Sequence, residues 1–442
     1  MRVLALDVGS SSTRACAYDE RGREAGEPPA RRAYEAHYRP GGAAELDADE
    51  LVRASEAVVA EAGAGPDATG ISCFWHSLLL LDQKERPLTP VLLWQDRRSV
   101  AQAEELRARL DPAAVHARTG CFLHPSYWPA KLAWAQEQGT LDQARRIVSF
   151  ADYLFLRLTG ELRTTLSTAS GSGLLDLHAR AWDGELLDTL GVDERLLPPI
   201  DDEPAGTMYP PLGDGACSNL GAGCTTRERA ALMVGTSGAY RVLHEAEPSP
   251  REGLFCYFAD EGRVVEGGAV SDGGNLYAWL ERTLRLETMK PREPDGHGLT
   301  FLPLLGGERS PGWNPRATGT IAGLTFGVDA NDLLQAGLEG VAYRLAEIAD
   351  SLPEVREVVA TGGALLESEW WIQLFADVLG RPVTASAVPE GSARGAAVHA
   401  LNRLGIEPEA APLGRTYEPD TRRTEIYAAA RERQRELYKR LF

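Results

Sequence analysis

The sequence predicts an α/β protein built from two related lobes. Three observations carry that expectation. A strand–turn–strand signature opens the chain and returns about half-way along it. Apolar strands and amphipathic helices alternate throughout, the pattern of an α/β fold. A proline-rich stretch interrupts the alternation near the middle, where a boundary is expected. The length of 442 residues suits two or three domains at roughly 150 residues each.

The first signature runs Val3-Leu4-Ala5-Leu6-Asp7-Val8-Gly9-Ser10-Ser11-Ser12-Thr13-Arg14 and continues apolar to Tyr18. It reads as a hairpin: a buried strand, a Gly/Ser turn and a returning strand. The second runs Ala230 to Leu243 through Gly235-Thr236-Ser237-Gly238, and the offset is 235 − 9 = 226 residues. A repeat at half the chain length suggests two related domains. Between the hairpins, 70–74 and 77–81 read as strands, and 99–110 and 127–138 as helices. The segment from Leu196 to Gly213 is rich in proline, which places the boundary at 213, with lobes 1–213 and 214–442.

In the second half, Leu334, Leu338, Val341, Leu345 and Ile348 recur at helical spacing from a start near Asn331. Residues 357–360 read as a short strand ending at Thr361-Gly362-Gly363. Ser368 stands where an N-cap belongs, Trp371, Leu374, Phe375 and Val378 form the buried stripe, and Gly380 ends that helix. The last twenty residues predict a surface helix with Ile426, Ala430, Leu437 and Leu441 on its inner side.

Composition excludes several classes. Lys plus Arg is 46 against 64 for Asp plus Glu, a net charge of −18. That balance opposes nucleic-acid binding and docking on anionic lipid. No apolar run approaches the length of a membrane span, and the opening residues do not form a signal sequence. Cys16, Cys73, Cys121, Cys217, Cys224 and Cys256 are scattered with no Cys-x-x-Cys pair. They read as reduced, buried thiols in a cytoplasmic protein.

Three places could hold chemistry. Gly9 lets backbone approach a ligand, Ser10 and Ser11 offer donors, and Arg14 stands within reach of the same phosphates. Asp7 beside them makes sense if a hydrated Mg²⁺ lies between carboxylate and phosphate; the alternative is an ordinary polar turn. Asp214, flanked by Gly213 and Gly215, suits a base that takes a proton from a substrate hydroxyl; the alternative is a turn aspartate. Trp75, His76, Asp96 and Arg97 follow apolar strands and suit a polyol, or else are structural.

Together these motifs resemble the FGGY family of carbohydrate kinases over essentially the whole chain. The resemblance implies two ribonuclease H-like (actin/hexokinase-type) lobes with a nucleotide cleft between them. It implies ATP as donor, Mg²⁺ held through water by Asp7, and Asp214 as catalytic base. Asp7 to Arg14 is similar to the family's first phosphate motif, and Gly235, Thr236 and Ser237 to its second. Thr361-Gly362-Gly363-Ala364 with the segment from Ser368 to Gly380 resembles its adenosine segment, and Gly274 falls where the nucleotide meets backbone.

Within the family the segment from Thr119 to Pro125, Lys131, and the segment from Ser167 to Leu174 look most like gluconate kinases. Phe74-Trp75, Gln95 and Thr165 depart from the usual sugar-side residues. The expected reaction is phosphorylation of a primary hydroxyl, with a gluconate-type aldonate as substrate and Lys131, Arg97 or His76 as its cationic partner. A neutral ketose or polyol is the alternative, and a nucleotide-binding sensor without turnover is a third reading. Oligomeric state is open, a homodimer included.

Overall fold

The computed structural model describes residues 1–442 apart from 27, 64, 287 and 288. Apolar Val3–Val8 (β1) turns at Gly9 into Ser12–Tyr18 (β2), and Ala30–Ala33 (β3) continues the antiparallel meander. The helix Ala48–Glu61 (α1), capped by Asp47, returns the chain as Ala68–Cys73 (β4), parallel to β1. After Phe150–Thr159 (α2), the two-residue strand Leu212–Gly213 (β5) joins the far side of β4. The sheet order is β5-β4-β1-β2-β3.

The second half begins with Asp214–Gly221 (α3), then the hairpin Arg229–Val234 (β6) and Gly238–Glu245 (β7). Phe255–Phe258 (β8), Arg263–Val270 (β9), Gly274–Leu284 (α4) and Ala330–Asp350 (α5) follow. Glu357–Thr361 (β10), Glu369–Leu379 (α6), Val383–Ser386 (β11), Gly391–Arg403 (α7), Leu413–Tyr417 (β12) and Thr421–Leu441 (α8) complete it. The order of this sheet is β8-β9-β7-β6-β10-β11-β12. Its inner five strands repeat the first sheet: β6 pairs antiparallel with β7, β7 with β9, and β10 and β11 run parallel beside β6. Gly9 and Gly235 follow the lead strands of the two hairpins.

The local signals have physical counterparts. Ser368 accepts a hydrogen bond from Trp371 N–H at 3.2 Å, and Gly380 ends α6 at φ 61°. The predicted stripe of α5 is buried from Leu334 to Ile348. The C-terminal helix differs from expectation. Its inward face is Tyr427, Ala430 and Gln434, whereas Leu441 is exposed. Gln434 docks by donating to Phe301 O and Gly340 O, a polar anchor that apolar periodicity does not register.

The molecule is layered. α1 and α2 pack their apolar faces on one side of the first sheet, and α5 and α6 cover the outer side of the second. Between the sheets lie α3 and α7. α7 packs on β1, β4 and α3, while α3 reaches β6 and β7. Thus α7, encoded in the second half, covers the sheet of the first. The approach is backbone to backbone. A Cβ at Gly395 would lie 1.8 Å from Cys217 O, one at Gly221 1.8 Å from Gly391 O, and one at Gly70 2.1 Å from Ala396 O. All six cysteines are buried and free, and among the described residues no helix is long and apolar enough to cross a membrane.

Candidate active site

The chain beyond β4 turns into a partly open chamber between the two sheets. Trp75 and His76 form one wall. The indole is slotted among residues without side chains: a Cβ at Gly213, Gly171 or Gly215 would fall 1.8, 2.5 or 2.4 Å from the ring. Trp75 Nε1 then donates to Ser167 O at 3.0 Å. His76 adopts φ 66°, in the left-handed region. Its Nδ1 lies 2.6 Å from Gly171 O, and a carbonyl only accepts, so Nδ1 carries the proton and Nε2 is left as an acceptor. Burial pushes its pKa down to about 3, so the ring stays neutral.

Asp214 begins α3 directly after β5 and lines the same chamber. Its Oδ1 accepts from Gly215 N–H at 2.9 Å. Burial raises its carboxyl pKa, and the guanidinium of Arg241 opposes that rise. Among the described residues no other acid lines the chamber.

Sequence reading misses four residues that shape this space. Arg241 comes from β7, Arg309 from the loop after Gly307, Tyr127 from the residue before the helix Trp128–Glu137, and Tyr257 from β8. The two phenols share a hydrogen bond of 2.5 Å across the lobes. Arg309 lies 4.0 Å over the Trp94 ring and donates to Val270 O. The signal for Arg241 is an arginine inside an apolar strand just after the second Gly-Thr-Ser-Gly turn.

The predicted sugar contacts separate. Trp75 and His76 line the chamber. Asp96 and Arg97 line a narrow neck beside it, and Arg97 also borders an open cleft lined by Tyr38, Asp272 and Trp279. The Asp96 carboxylate accepts from Ala44 N–H and Arg98 N–H and forms an ion pair with Arg98. Arg97 donates to Pro315 O. Lys131 corrects the expectation. Its ammonium is buried behind the wall, donating to His76 O at 2.8 Å and Ser126 O at 2.9 Å. It lines none of these spaces, and burial pulls its pKa down to about 7. It braces the two chain segments that face the substrate space.

The two hairpin turns are closed in the same way. Gly9 N–H donates to Ser12 O and Gly235 N–H to Ser237 O, each at 3.0 Å. Ser10 is half-buried and Ser11 is exposed on the first turn. Gly274 N–H donates to Gly235 O at 2.8 Å and Asn275 N–H to Thr236 O at 3.1 Å. A Cβ at Gly274 would lie 2.8 Å from the Ala364 methyl, and one at Gly362 2.5 Å from Val234 O. Gly363, by contrast, has nothing within 4 Å of its missing side chain, so backbone is open there. Ser237 belongs both to this turn and to the chamber wall.

Asp7 is the second-last residue of β1 in the first hairpin, 4% exposed, with Arg14 Nε 3.1 Å from its carboxylate. Arg14 also pairs with Glu390, just before α7, so it spans two carboxylates from opposite ends of the chain. A buried carboxylate already paired with an arginine suits a hydrated divalent cation held through water better than a dehydrated one. The donor set here therefore fits Mg²⁺ with a nucleotide.

Two family models cover the chain. The FGGY family of carbohydrate kinases, N-terminal domain, matches residues 2–216, and the C-terminal domain of the same family matches 230–402. The chain is 28% identical to the gluconokinase of Bacillus subtilis (strain 168), over 97% of this chain and 93% of that one. Its structure is similar to the ligand-bound xylulose kinase from Lactobacillus acidophilus, with TM-score 0.88, 26% identity and coverage of 100% and 98%. It is equally similar to the gluconate kinase from Lactobacillus acidophilus, with TM-score 0.86, 26% identity and the same coverage. Two sheets of one topology and a lone acid in the chamber between them thus belong with a two-domain α/β fold of phosphotransferases, and the chain is a member of the FGGY family of carbohydrate kinases.

Proposed function

We propose that this chain transfers the γ-phosphoryl group of ATP to a primary hydroxyl of a gluconate-type aldonate, with Asp214 as general base. The observation that carries the reading is Asp214: among the described residues the sole acid of a chamber whose wall includes Ser237 of the second hairpin turn. The sugar stacks on Trp75, and His76 Nε2 accepts from one of its hydroxyls. Asp214 orients the primary hydroxyl and takes its proton as the new P–O bond forms and the bond to the leaving diphosphate breaks.

The backbone at Ser10, Ser11, Thr236 and Ser237 donates to phosphate oxygens, with Arg14 at their edge, while Gly9 and Gly235, whose own N–H groups close the turns, let the phosphates approach. Gly274, Gly362, Gly363 and Ala364 flank the nucleoside. A magnesium ion held through water by Asp7 would neutralise charge on the transferring group. The reading divides the chain at 213/214, with the sugar-facing lobe first. Closure of the chamber on the sugar would exclude water, which limits ATP hydrolysis without sugar. The gluconokinase and gluconate kinase among the relatives support an aldonate.

A coupled assay over aldonates, ketoses and polyols tests this, together with Asp214→Asn. Turnover should fall by several orders of magnitude, while nucleotide affinity stays within a few-fold. Turnover within about tenfold of wild type removes Asp214 as the base. Turnover of xylulose but not gluconate assigns the neutral alternative, and nucleotide binding without turnover assigns the sensor.

A further inference from the structure

The chamber holds an unbalanced charge. Two of its lining residues are arginines, Arg241 and Arg309, 6% and 8% exposed. Neither forms an ion pair among the described residues. Among the described residues Arg241 Nε and Nη2 and Arg309 Nε make no hydrogen bond, and all three nitrogens are shut off from solvent. Burial pulls Arg309 down only to about 10, so it is cationic at neutral pH. His76 is neutral, and Asp214 is the sole lining acid among the described residues. The lining thus carries two positive charges against one negative.

A buried cation without a partner is costly, and a guanidinium with free N–H groups presents the planar donor set that matches a carboxylate. Structure alone does not require both residues: Trp94 stacking and one carbonyl hold Arg309, and nothing polar holds those two nitrogens of Arg241.

We propose that Arg241 and Arg309 bind an anionic group of the sugar substrate, a carboxylate, and thereby select sugar acids over neutral sugars. This deepens the kinase reading above and names its specificity-determining residues. A bound carboxylate brings the lining to neutrality. In an aldonate the carboxylate and the reacting hydroxyl stand at opposite ends of a short chain. Arg309, stacked on Trp94, and Arg241 both lie within electrostatic reach of Asp214, the base at the reacting hydroxyl. The one competing anion is the nucleotide's terminal phosphate, which enters from the Ser237 side.

The test is calorimetric binding of gluconate and of glucitol, its uncharged counterpart, to wild type, Arg241→Met and Arg309→Met, with ADP titrated separately without sugar. Wild type should prefer gluconate. Each variant should lower the gluconate-to-glucitol affinity ratio by about thirtyfold, the scale of one lost charge-assisted pair. Each should also keep or raise Tm without ligand, because methionine relieves the uncompensated charge. Equal losses for both compounds, or wild-type preference for glucitol, overturns the proposal. So does a variant that loses ADP but not gluconate, since the cations then serve phosphate. Gluconate binding without phosphorylation refutes the kinase reading and leaves this one standing. Phosphorylation of neutral sugars with no binding of acids does the reverse.

Discussion

Asp214 is under two opposed influences. Burial raises its carboxyl pKa, and Arg241 pulls it back toward the ionised form. A general base works ionised, so activity is present above the raised pKa and disappears as pH falls through it. The acid limb of kcat/KM should therefore lie above the range of an ordinary aspartate, near about 3.9. Arg241→Met removes the opposing cation and should move that limb to still higher pH. A limb that stays put would show that another group sets it.

Residues of this kind differ in how far sequence exposes them. Asp214 stands between two glycines after a strand, and Trp75 and His76 follow the strand that ends at Cys73, so their place in turns at the end of the sheet is legible. Arg241 lies inside a strand buried on both faces, so alternation gives no hint of a cavity beside it. Lys131 misleads for the opposite reason: a cation in a motif invites a ligand, yet two backbone carbonyls take its protons.

At the scale of elements, the amphipathic helices are legible because one face meets water. α5 and α6 carry stripes, and α6 also carries its Ser368 cap. α7 escapes sequence reading because it touches protein on two sides. It is buried continuously from Ala393 to Leu401, mostly through small residues, so no contrasting stripe shows. They let it pass between the sheets in backbone contact with α3. Gly395 and Gly221 make equally close approaches at that crossing. Gly395→Ala would put a methyl 1.8 Å from Cys217 O, which is backbone and cannot swing away. We expect a loss of about 3 kcal/mol in unfolding free energy, the upper range for overpacking, read by denaturant titration. A loss under about 0.5 kcal/mol would mean that the helices separate freely.

For the whole molecule, the α/β class and the repeated sheet are visible in the sequence, since hairpin turns recur and strand–helix alternation persists. The interleaving is not. A cut at the proline-rich segment would leave β1 and β4 without α7, exposing the face around Val3, Ala5 and Ala68. Residues 1–213 expressed alone should therefore lack the near-ultraviolet circular dichroism of a packed core, and should recover it when 214–442 is supplied. A cooperative unfolding transition from 1–213 alone would contradict this.

The hydrogen bond between Tyr127 and Tyr257 has a last consequence. It joins a phenol from each half of the chain, and the chamber walls are shared in the same way. The pocket is therefore not a property of either half but of their adhesion. A ligand that fills it is a cement, and its binding energy and the energy holding the halves together are drawn from one thermodynamic cycle. Any change that loosens the seam, however far from the sugar, must surface as weaker affinity, and any tight-binding sugar must make the protein harder to melt.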